Sequence, residues 1–207
     1  GRGQSLSSPP VKEFATVAGI PVFQFQRIRG NKDVLALLER LQPELMVVVA
    51  FGQILPPEFF EFPLHGTLNV HSSLLPRYRG AAPVAHAILC GETESGVTIM
   101  RIDEGMDTGD ILTQKTLPLP RDITTGEFEE SLAQEGAILL SETIDGYVRG
   151  EIVPVPQGEE HVSFAPRINK KDAKVCWDRD ALSVHNLIRA MNPWPVAFAL
   201  FRDQRVK

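Results

Sequence analysis

Segments of helical periodicity alternate with segments of strand periodicity along the chain. Near the start, residues 11–18 carry apolar side chains on one helical face, after two serines and two prolines at 7–10 that suit a helix start. Residues 34–41 repeat the pattern and predict a second amphipathic helix. The unbroken apolar run 45–50 then predicts a strand that is buried on both faces.

Downstream of this run the pattern predicts further strands and helices. Strands are predicted at 67–71, 97–102 and 111–117, and helices at 81–89 and from 124 to about 147. This alternation predicts an α/β fold with a mainly parallel sheet flanked by helices. Such a sheet normally has more strands than these, and both ends of the chain are typical of cut loops. We therefore expect the first strand and helix of the fold to be missing.

The pattern of polar and apolar residues changes after Gly150. Pro154, Pro156 and Gly158 lie in a polar stretch, and the apolar pattern stays short and irregular until residues 182–188 predict one more helix. We therefore predict a catalytic domain over residues 1–153. Residues 154–207 are predicted to form a linker and the start of a C-terminal domain.

Composition narrows the class of protein. The 207 residues are 43% hydrophobic and 23% charged, which predicts a globular chain with a real core. No apolar run reaches the roughly 18 residues of a spanning helix, so no membrane partner is expected. A net charge of −5 limits any nucleic-acid contact to a local basic patch.

The cysteine content bears on the cellular compartment. Cys90 and Cys176 are the two cysteines, and they form neither a disulfide framework nor a zinc pattern. This usage suits a reducing compartment, so we expect a cytoplasmic protein of bacterial cytosol, with an organelle matrix as the alternative. A monomer is expected.

Candidate chemistry centres on Asn69, His71 and Asp107. Asn69 and His71 are two residues apart in the predicted strand, so their side chains lie on one face near its carboxyl end, where open α/β sheets bind ligands. An amide donor, an imidazole and a carboxylate are together what a tetrahedral acyl intermediate requires. On spacing alone, the alternative that Asn69 and His71 only satisfy a strand end stays open.

The sequence gives little support for a metal ion or a nucleotide as ligand. Asp103, Asp107 and Asp110 do not match the alternating ligand positions of an EF-hand loop, and no metal is expected. The chain also lacks the glycine patterns that hold dinucleotides and nucleoside triphosphates. Gly105 and Gly109 instead flank Asp107, which allows that loop to turn tightly and approach a flat ring.

The stretch Asn-Val-His-Ser-Ser-Leu-Leu-Pro-Arg-Tyr-Arg-Gly at 69–80, with Asp107 downstream in Gly-Met-Asp-Thr-Gly-Asp, resembles the folate-dependent formyltransferases. The resemblance implies a Rossmann-like domain and transfer of a formyl group from 10-formyltetrahydrofolate to an amine, with Asn69, His71 and Asp107 as catalytic residues. It also implies a folate site at four consecutive residues, which are Ser73, Leu74, Leu75 and Pro76.

A second set of residues is a candidate for the pterin pocket of such a site. Phe51, Ile54 and Leu55 follow the predicted strand 45–50. The alternative for these three side chains is plain core at a strand end, and the sequence does not choose between the two.

Segments 79–83, 96–100, 106–110 and 189–195 are similar to the family members that formylate initiator methionyl-tRNA. The resemblance thus implies this tRNA as partner. Its candidate contacts are basic residues, namely Arg2, Lys12 and Arg77, with the Lys170–Lys171 pair as a further source of charge. The alternatives are another folate-dependent formyltransferase, a formyltetrahydrofolate hydrolase, or a module that binds folate or RNA without turnover. For Arg77 the alternative is solvated surface.

The resemblance carries an expected mechanism. The neutral amino group of the methionyl ester attacks the formyl carbon, and Asn69 and a proton-donating His71 stabilise the resulting oxyanion. Asp107 orients or charges His71 and accepts the amine proton through water.

Overall fold

The computed structural model describes residues 8–207, so Ser7 and the candidate tRNA contact Arg2 lie outside the described residues. The chain divides into two compact units, one ending at Leu41 and the other spanning Gln42–Lys207. No helix within residues 8–207 combines the length and apolar character that crossing a membrane requires.

The first unit contains helices α1 (Pro10–Val17) and α2 (Lys32–Leu41). Helix α2 buries Val34 and Leu38, as its apolar pattern predicts. Helix α1 begins after Pro9, with no side-chain cap from a serine. Its predicted apolar face is exposed, with Val11 80% and Phe14 73% accessible.

The second unit contains the sheet and its helices. In chain order its elements are β1 (Met46–Val48), α3 (Pro57–Phe60), β2 (Thr67–His71), α4 (Pro83–Leu89), β3 (Glu94–Arg101), β4 (Ile111–Pro118), α5 (Thr125–Val148), a 3-10 turn (Lys170–Ala173), α6 (Ala181–Ala190), β5 (Ala199–Phe201) and β6 (Gln204–Val206). Strands β5 and β6 form a separate hairpin.

The main sheet has the order β1-β2-β3-β4. Strands β1 and β2 run parallel, with Val48 beside Asn69. Strand β3 is antiparallel to β2, with Thr98 beside His71, and β4 is antiparallel to β3. The α/β class is confirmed, and the parallel character is confined to the first pair. The loop 102–110 explains part of this, since so short a connection joins antiparallel strands only.

The prediction that the run 45–50 is a strand buried on both faces is wrong. Strand β1 is shorter, and Val47 and Val49 are 40% and 59% exposed. The reason is that β1 lies at the edge of the described sheet, so within residues 8–207 only β2 pairs with it. Val47 is paired with Leu68, and Leu45 packs with the core cluster around Leu68, but the valines beyond Leu45 are less covered.

Helix α5 covers one face of the sheet. Leu68, Ile99 and Leu112 from three adjacent strands pack against Leu139 and Leu140 of α5. The predicted start of α5 is confirmed by a capping box at its first turn. Since side chains alternate along a strand, packing Leu68 against α5 turns the neighbouring Asn69 and His71 toward the opposite face.

The C-terminal segment is joined to the sheet domain through the start of α5. Thr125 Oγ1 donates to the carbonyl oxygen of Ala190 over 2.8 Å, and the Gly126 amide donates to that of Asn192 over 3.1 Å. The predicted helix at 182–188 is confirmed as α6. The predicted boundary at 153/154 lies inside the second unit and stays a prediction.

A buried guanidinium holds α6 against the turn before α5, and it supports a stability prediction. Arg189 is 6% exposed. Its Nε and Nη2 donate to Asn186 Oδ1 over 3.0 and 2.9 Å, and its Nη1 donates to the carbonyl oxygens of Pro120 and Ile123, each over 3.3 Å. Burial lowers the pKa of Arg189 because it disfavours the charged form.

We expect Arg189→Met to lower the free energy of unfolding by about 2–4 kcal/mol, because the buried Asn186 side chain and two backbone carbonyl oxygens lose their donor. Urea denaturation followed by circular dichroism measures the change. The control is Arg179→Met at an exposed position, which should shift the free energy by no more than about 0.5 kcal/mol. Equal denaturation midpoints for the two variants would contradict the role of Arg189.

Candidate active site

The carboxyl end of β2 brings His71 to the face of the sheet opposite α5. His71 is 5% exposed, and its Nε2 lies 3.0 Å from the carbonyl oxygen of Tyr78. Because a carbonyl oxygen only accepts, Nε2 must carry the hydrogen and donate. In the neutral ring the other nitrogen, Nδ1, therefore has a free lone pair.

Asp107 faces that second nitrogen. Its Oδ2 lies 3.7 Å from His71 Nδ1 and accepts a hydrogen bond of 2.8 Å from the Gly80 amide. A separation of 3.7 Å is too long for a hydrogen bond, and the two groups form an ion pair only when His71 is protonated. The structure thus brings His71 and Asp107 together, as the sequence predicts.

Asn69 is half-buried on the same face as His71. Its backbone is part of the ladder that joins β2 to β1 and β3. Its side-chain amide makes no hydrogen bond to any other residue within 8–207. Asn69 can therefore donate to a ligand at no cost in protein contacts.

A hydrogen-bond network fixes the turn that follows β2. Thr98 Oγ1 donates to the Ser73 carbonyl oxygen over 2.6 Å and accepts from the Leu75 amide over 3.2 Å. Gln114 Nε2 donates to the Leu75 carbonyl oxygen over 2.9 Å. This turn leads directly to Tyr78, so the network fixes where the Tyr78 carbonyl meets His71.

The four residues predicted to bind folate lie in the turn after β2, between His71 and Tyr78. Ser73 has no exposed surface, and its hydroxyl donates to the Arg77 carbonyl oxygen over 2.6 Å. Leu74, Leu75 and Pro76 line a cavity of about 640 Å³ whose walls come from α4 and residues 161–164 rather than from the trio. Folate binding by these four residues stays a prediction, and the Ser73 hydroxyl is already used by the protein.

The three pterin-pocket candidates lie on the loop that follows β1. Because β1 and β2 are parallel, this loop leaves the same edge of the sheet as the residues after His71. Phe51 and Ile54 are 39% and 80% exposed, and Leu55 is half-buried. Phe51 and Ile54 are therefore not plain core, and their part in a pterin pocket stays a prediction.

The basic candidates differ in their surroundings. Lys12 Nζ donates to Gln24 Oε1 over 2.6 Å. The Arg77 guanidinium forms an ion pair with Glu92 and lies 5.3 Å from the centre of the Tyr78 ring. A phosphate would therefore have to compete with Glu92 for Arg77. Lys170 and Lys171 are exposed on the 3-10 turn.

Three groups that shape the site were missed by sequence reasoning, namely the Tyr78 carbonyl, the Gly80 amide and the Gln157 side chain. Gly80 has a φ of +120°, and a Cβ there would lie 2.8 Å from the Ala165 carbonyl oxygen, so only glycine fits. The Tyr78 hydroxyl donates to Glu92 over 2.6 Å, and burial together with this bond raises the pKa of Tyr78. Tyr78 and Gly80 both lie in the motif at 69–80, whereas Gln157 has no signal in the sequence.

The arrangement defines a class of chemistry. A free amide donor lies on the same face as an imidazole whose second nitrogen faces a carboxylate, and none of these groups is a strong nucleophile. Such a site suits direct transfer of an acyl-type group between two bound substrates.

Comparison with known proteins agrees with that class. The family model described as "Formyl transferase" matches residues 2–144, and "Formyl transferase, C-terminal domain" matches residues 167–207. The chain belongs to the formyl transferase family. The resemblance drawn from the motif at 69–80 is confirmed, and so is the Rossmann-like α/β fold class.

Two relatives with high sequence identity carry the same name. Over its whole length the chain is 49% identical to methionyl-tRNA formyltransferase of Synechococcus sp. (strain JA-3-3Ab), of which it covers 64%. It is 42% identical, again over its whole length, to methionyl-tRNA formyltransferase of Clostridium perfringens (strain SM101 / Type A), of which it covers 67%. The chain thus spans about two thirds of the length of these relatives.

Solved structures share the fold. A sugar 3N-formyl transferase solved with dTDP and 5-N-formyl-THF has a TM-score of 0.74 at 23% identity, over 95% of this chain and 68% of that chain. Methionyl-tRNA formyltransferase from Clostridium thermocellum has a TM-score of 0.67 at 24% identity, over 84% and 75%. At these identities the likeness concerns the fold.

Proposed function

We propose that the protein containing this chain transfers a formyl group from 10-formyltetrahydrofolate to the amino group of initiator methionyl-tRNA, for translation initiation. The observation that carries the proposal is the free Asn69 amide on the same face of β2 as the His71–Asp107 pair. The names of the two relatives support the acceptor. The formyl-THF of the sugar transferase structure supports a folate donor.

The geometry supports a division of labour between the three residues. Asn69 Nδ2 donates to the oxygen that becomes negative when the amine attacks the formyl carbon. His71 Nδ1 takes the proton that the attacking nitrogen loses, and Asp107 stabilises the imidazolium that results. His71 then returns the proton to N10 of the folate as the bond from N10 to the formyl carbon breaks.

This scheme differs from the sequence-based expectation for His71. That expectation had His71 donate to the oxyanion, but Nε2 is already used by the Tyr78 carbonyl oxygen. Nδ1 is the nitrogen left for the substrates, and with its lone pair it suits a proton acceptor. Asn69 is then the oxyanion donor, and Asp107 acts through His71 rather than through water.

We also propose a cytoplasmic monomer. Cys90 and Cys176 are both exposed free thiols, which suits a reducing compartment. The relatives named above are bacterial, which favours bacterial cytosol over an organelle matrix.

The test is an acceptor panel with the complete protein that contains this chain. It receives 10-formyltetrahydrofolate with initiator methionyl-tRNA, with glycinamide ribonucleotide, or with water alone. We expect transfer to methionyl-tRNA and little formate release without it. Transfer to another amine would keep the site and overturn the acceptor, and rapid formate release in water alone would favour a folate hydrolase.

The tRNA partner predicts a salt-dependent affinity. Binding that releases counterions weakens steeply as salt rises, and each lost phosphate contact lowers the slope of log K against log salt by about 1. We expect Lys170→Gln to produce such a change. Lys115→Gln is the control, because Lys115 is paired with Glu135 in the structure. Filter binding across a salt series measures both slopes, and a flat response in the parent protein would count against a tRNA partner.

A further inference from the structure

The side chain of Gln157 lies between Arg79 and the Asp107 loop. Gln157 Nε2 donates to the carbonyl oxygens of Asp107 and Gly109 over 2.9 and 2.7 Å. Gln157 Oε1 accepts from Nε and Nη2 of Arg79 over 3.0 and 2.7 Å. One side-chain amide therefore uses all its hydrogen-bonding groups to join two segments of the site.

The Asp107 backbone has an unfavourable conformation that hydrogen bonds from other segments can stabilise. Asp107 has a φ of +54°, in the left-handed region that residues other than glycine adopt at a cost. Two different segments restrain it, because the Gly80 amide binds its carboxylate and Gln157 binds its carbonyl oxygen. Backbone bonds hold the ends of the loop, from the Ile102 amide to Thr67 and from the Arg101 amide to Asp110. The bonds to the Asp103 side chain, from the Gly105 amide and the Thr108 hydroxyl, are local to the loop and exposed.

The backbone of Arg79, whose side chain donates to Gln157, is itself held by hydrogen bonds. The Arg79 amide donates to the Ser163 carbonyl oxygen over 2.9 Å, and the Ala165 amide donates to the Arg79 carbonyl oxygen over 2.7 Å. Residues 157–165 thus form a brace along the segment that precedes Gly80. The guanidinium of Arg79 also polarises the Gln157 amide, which strengthens its donation to the loop.

We propose that Gln157 is a positioning residue for the transfer reaction. It holds the Asp107 loop in the conformation that sets the carboxylate opposite His71 Nδ1, and it touches neither substrate. Gln157 lies in the segment that the sequence predicts to be a linker, so this segment completes the site. The inference concerns the rate of the transfer proposed above and rests on that function.

The informative substitution is Gln157→Glu. It keeps the size of the side chain and its acceptor for Arg79, but it removes both donations to the loop. Because a displacement of about 1 Å at a reacting group costs ~10²-fold in rate, we expect kcat to fall by about 10–100-fold. KM for both substrates should stay within about twofold of the parent value, since Gln157 contacts neither.

A second readout does not depend on activity. Amide hydrogen exchange, followed by mass spectrometry on the substrate-free protein, reports local opening of peptides that cover 102–110. We expect exchange there to be at least about tenfold faster in Gln157→Glu, with no change in peptides from α5. The control is Glu159→Gln, an exposed change in the same segment, which should alter neither exchange nor kcat.

The two readouts separate the outcomes. Parent-like exchange in Gln157→Glu overturns the proposal whatever the rate does, and faster exchange with unchanged kcat also overturns it. A fall in kcat with faster loop exchange supports it. If the parent protein formylates no acceptor, the proposed function fails by itself, and the exchange of 102–110 still decides whether Gln157 holds the loop.

Discussion

Replacing Asn69 with alanine is expected to lower kcat for formyl transfer by about 10²–10³-fold, the usual cost of losing one oxyanion donor. The effect should fall on kcat rather than on KM, because the oxygen that Asn69 contacts becomes charged only as the amine attacks. Steady-state kinetics with methionyl-tRNA as acceptor measures it.

The fold provides the control for this prediction. The Asn69 side chain makes no hydrogen bond within the described residues, so the alanine variant should unfold at nearly the same urea concentration as the parent. Asn69→Asp is a second test, since it keeps the shape but presents a carboxylate to the oxyanion and should be at least as slow. Turnover of the alanine variant within about threefold of the parent would remove Asn69 from the mechanism.

The other large effect is expected for Asp107→Asn. The amide oxygen of asparagine can still accept from Gly80, so the loop keeps this contact while the charge opposite His71 is lost. An imidazole that must hold a proton during transfer then lacks its counter-charge. We expect the rate of the chemical step to fall by about 10²–10⁴-fold, the range for general acid–base catalysis.

Single-turnover transfer at saturating substrates measures the chemical step directly. Asp110→Asn is the matched control, because Asp110 lies in the same loop and forms no ion pair with His71 in residues 8–207. A variant Asp107→Asn as fast as the Asp110 control would show that His71 works without the carboxylate, and the proposed division of labour would then be wrong.

The variants Asn69→Ala and Asp107→Asn together distinguish two ways in which the site lowers the activation barrier of transfer. In the proposed scheme Asn69 acts on the oxygen of the transferred group, and Asp107 acts through a proton on His71. If the two functions are separate, the double variant should lose roughly the product of the single losses. Asp107 itself depends on groups from three segments, which are Gly80, Gln157 and its own loop.

The sequence predicted those parts of the fold whose signals are local. The capping residues and the apolar periodicity of 124–147 predict α5 closely, and Asn69 and His71 lie on one face because side chains alternate along any strand. The burial of β1 was mispredicted because it depends on strands that are distant in sequence. A run of apolar residues shows the same pattern whether its strand is central or at an edge, and only the neighbouring strands decide which.

The contacts that complete the site depend on residues far apart in the chain. Gln157 is 50 residues from Asp107 and 78 from Arg79, and nothing in its local sequence marks it. Ser73 was predicted to line the folate site, and the structure adds that its hydroxyl donates to the Arg77 carbonyl oxygen, because the turn after β2 folds back on itself. Hydrogen bonds of this kind exist only once the chain has folded.

By itself, the sequence determined the family, the candidate catalytic trio and most helices and strands, because motifs and periodicity are properties of neighbouring residues. The tertiary structure decided which nitrogen of His71 binds the Tyr78 carbonyl oxygen and how Asp107 is held near the other nitrogen. The reason is that the Tyr78 carbonyl, the Gly80 amide and Gln157 act through direction and distance, which packing alone sets.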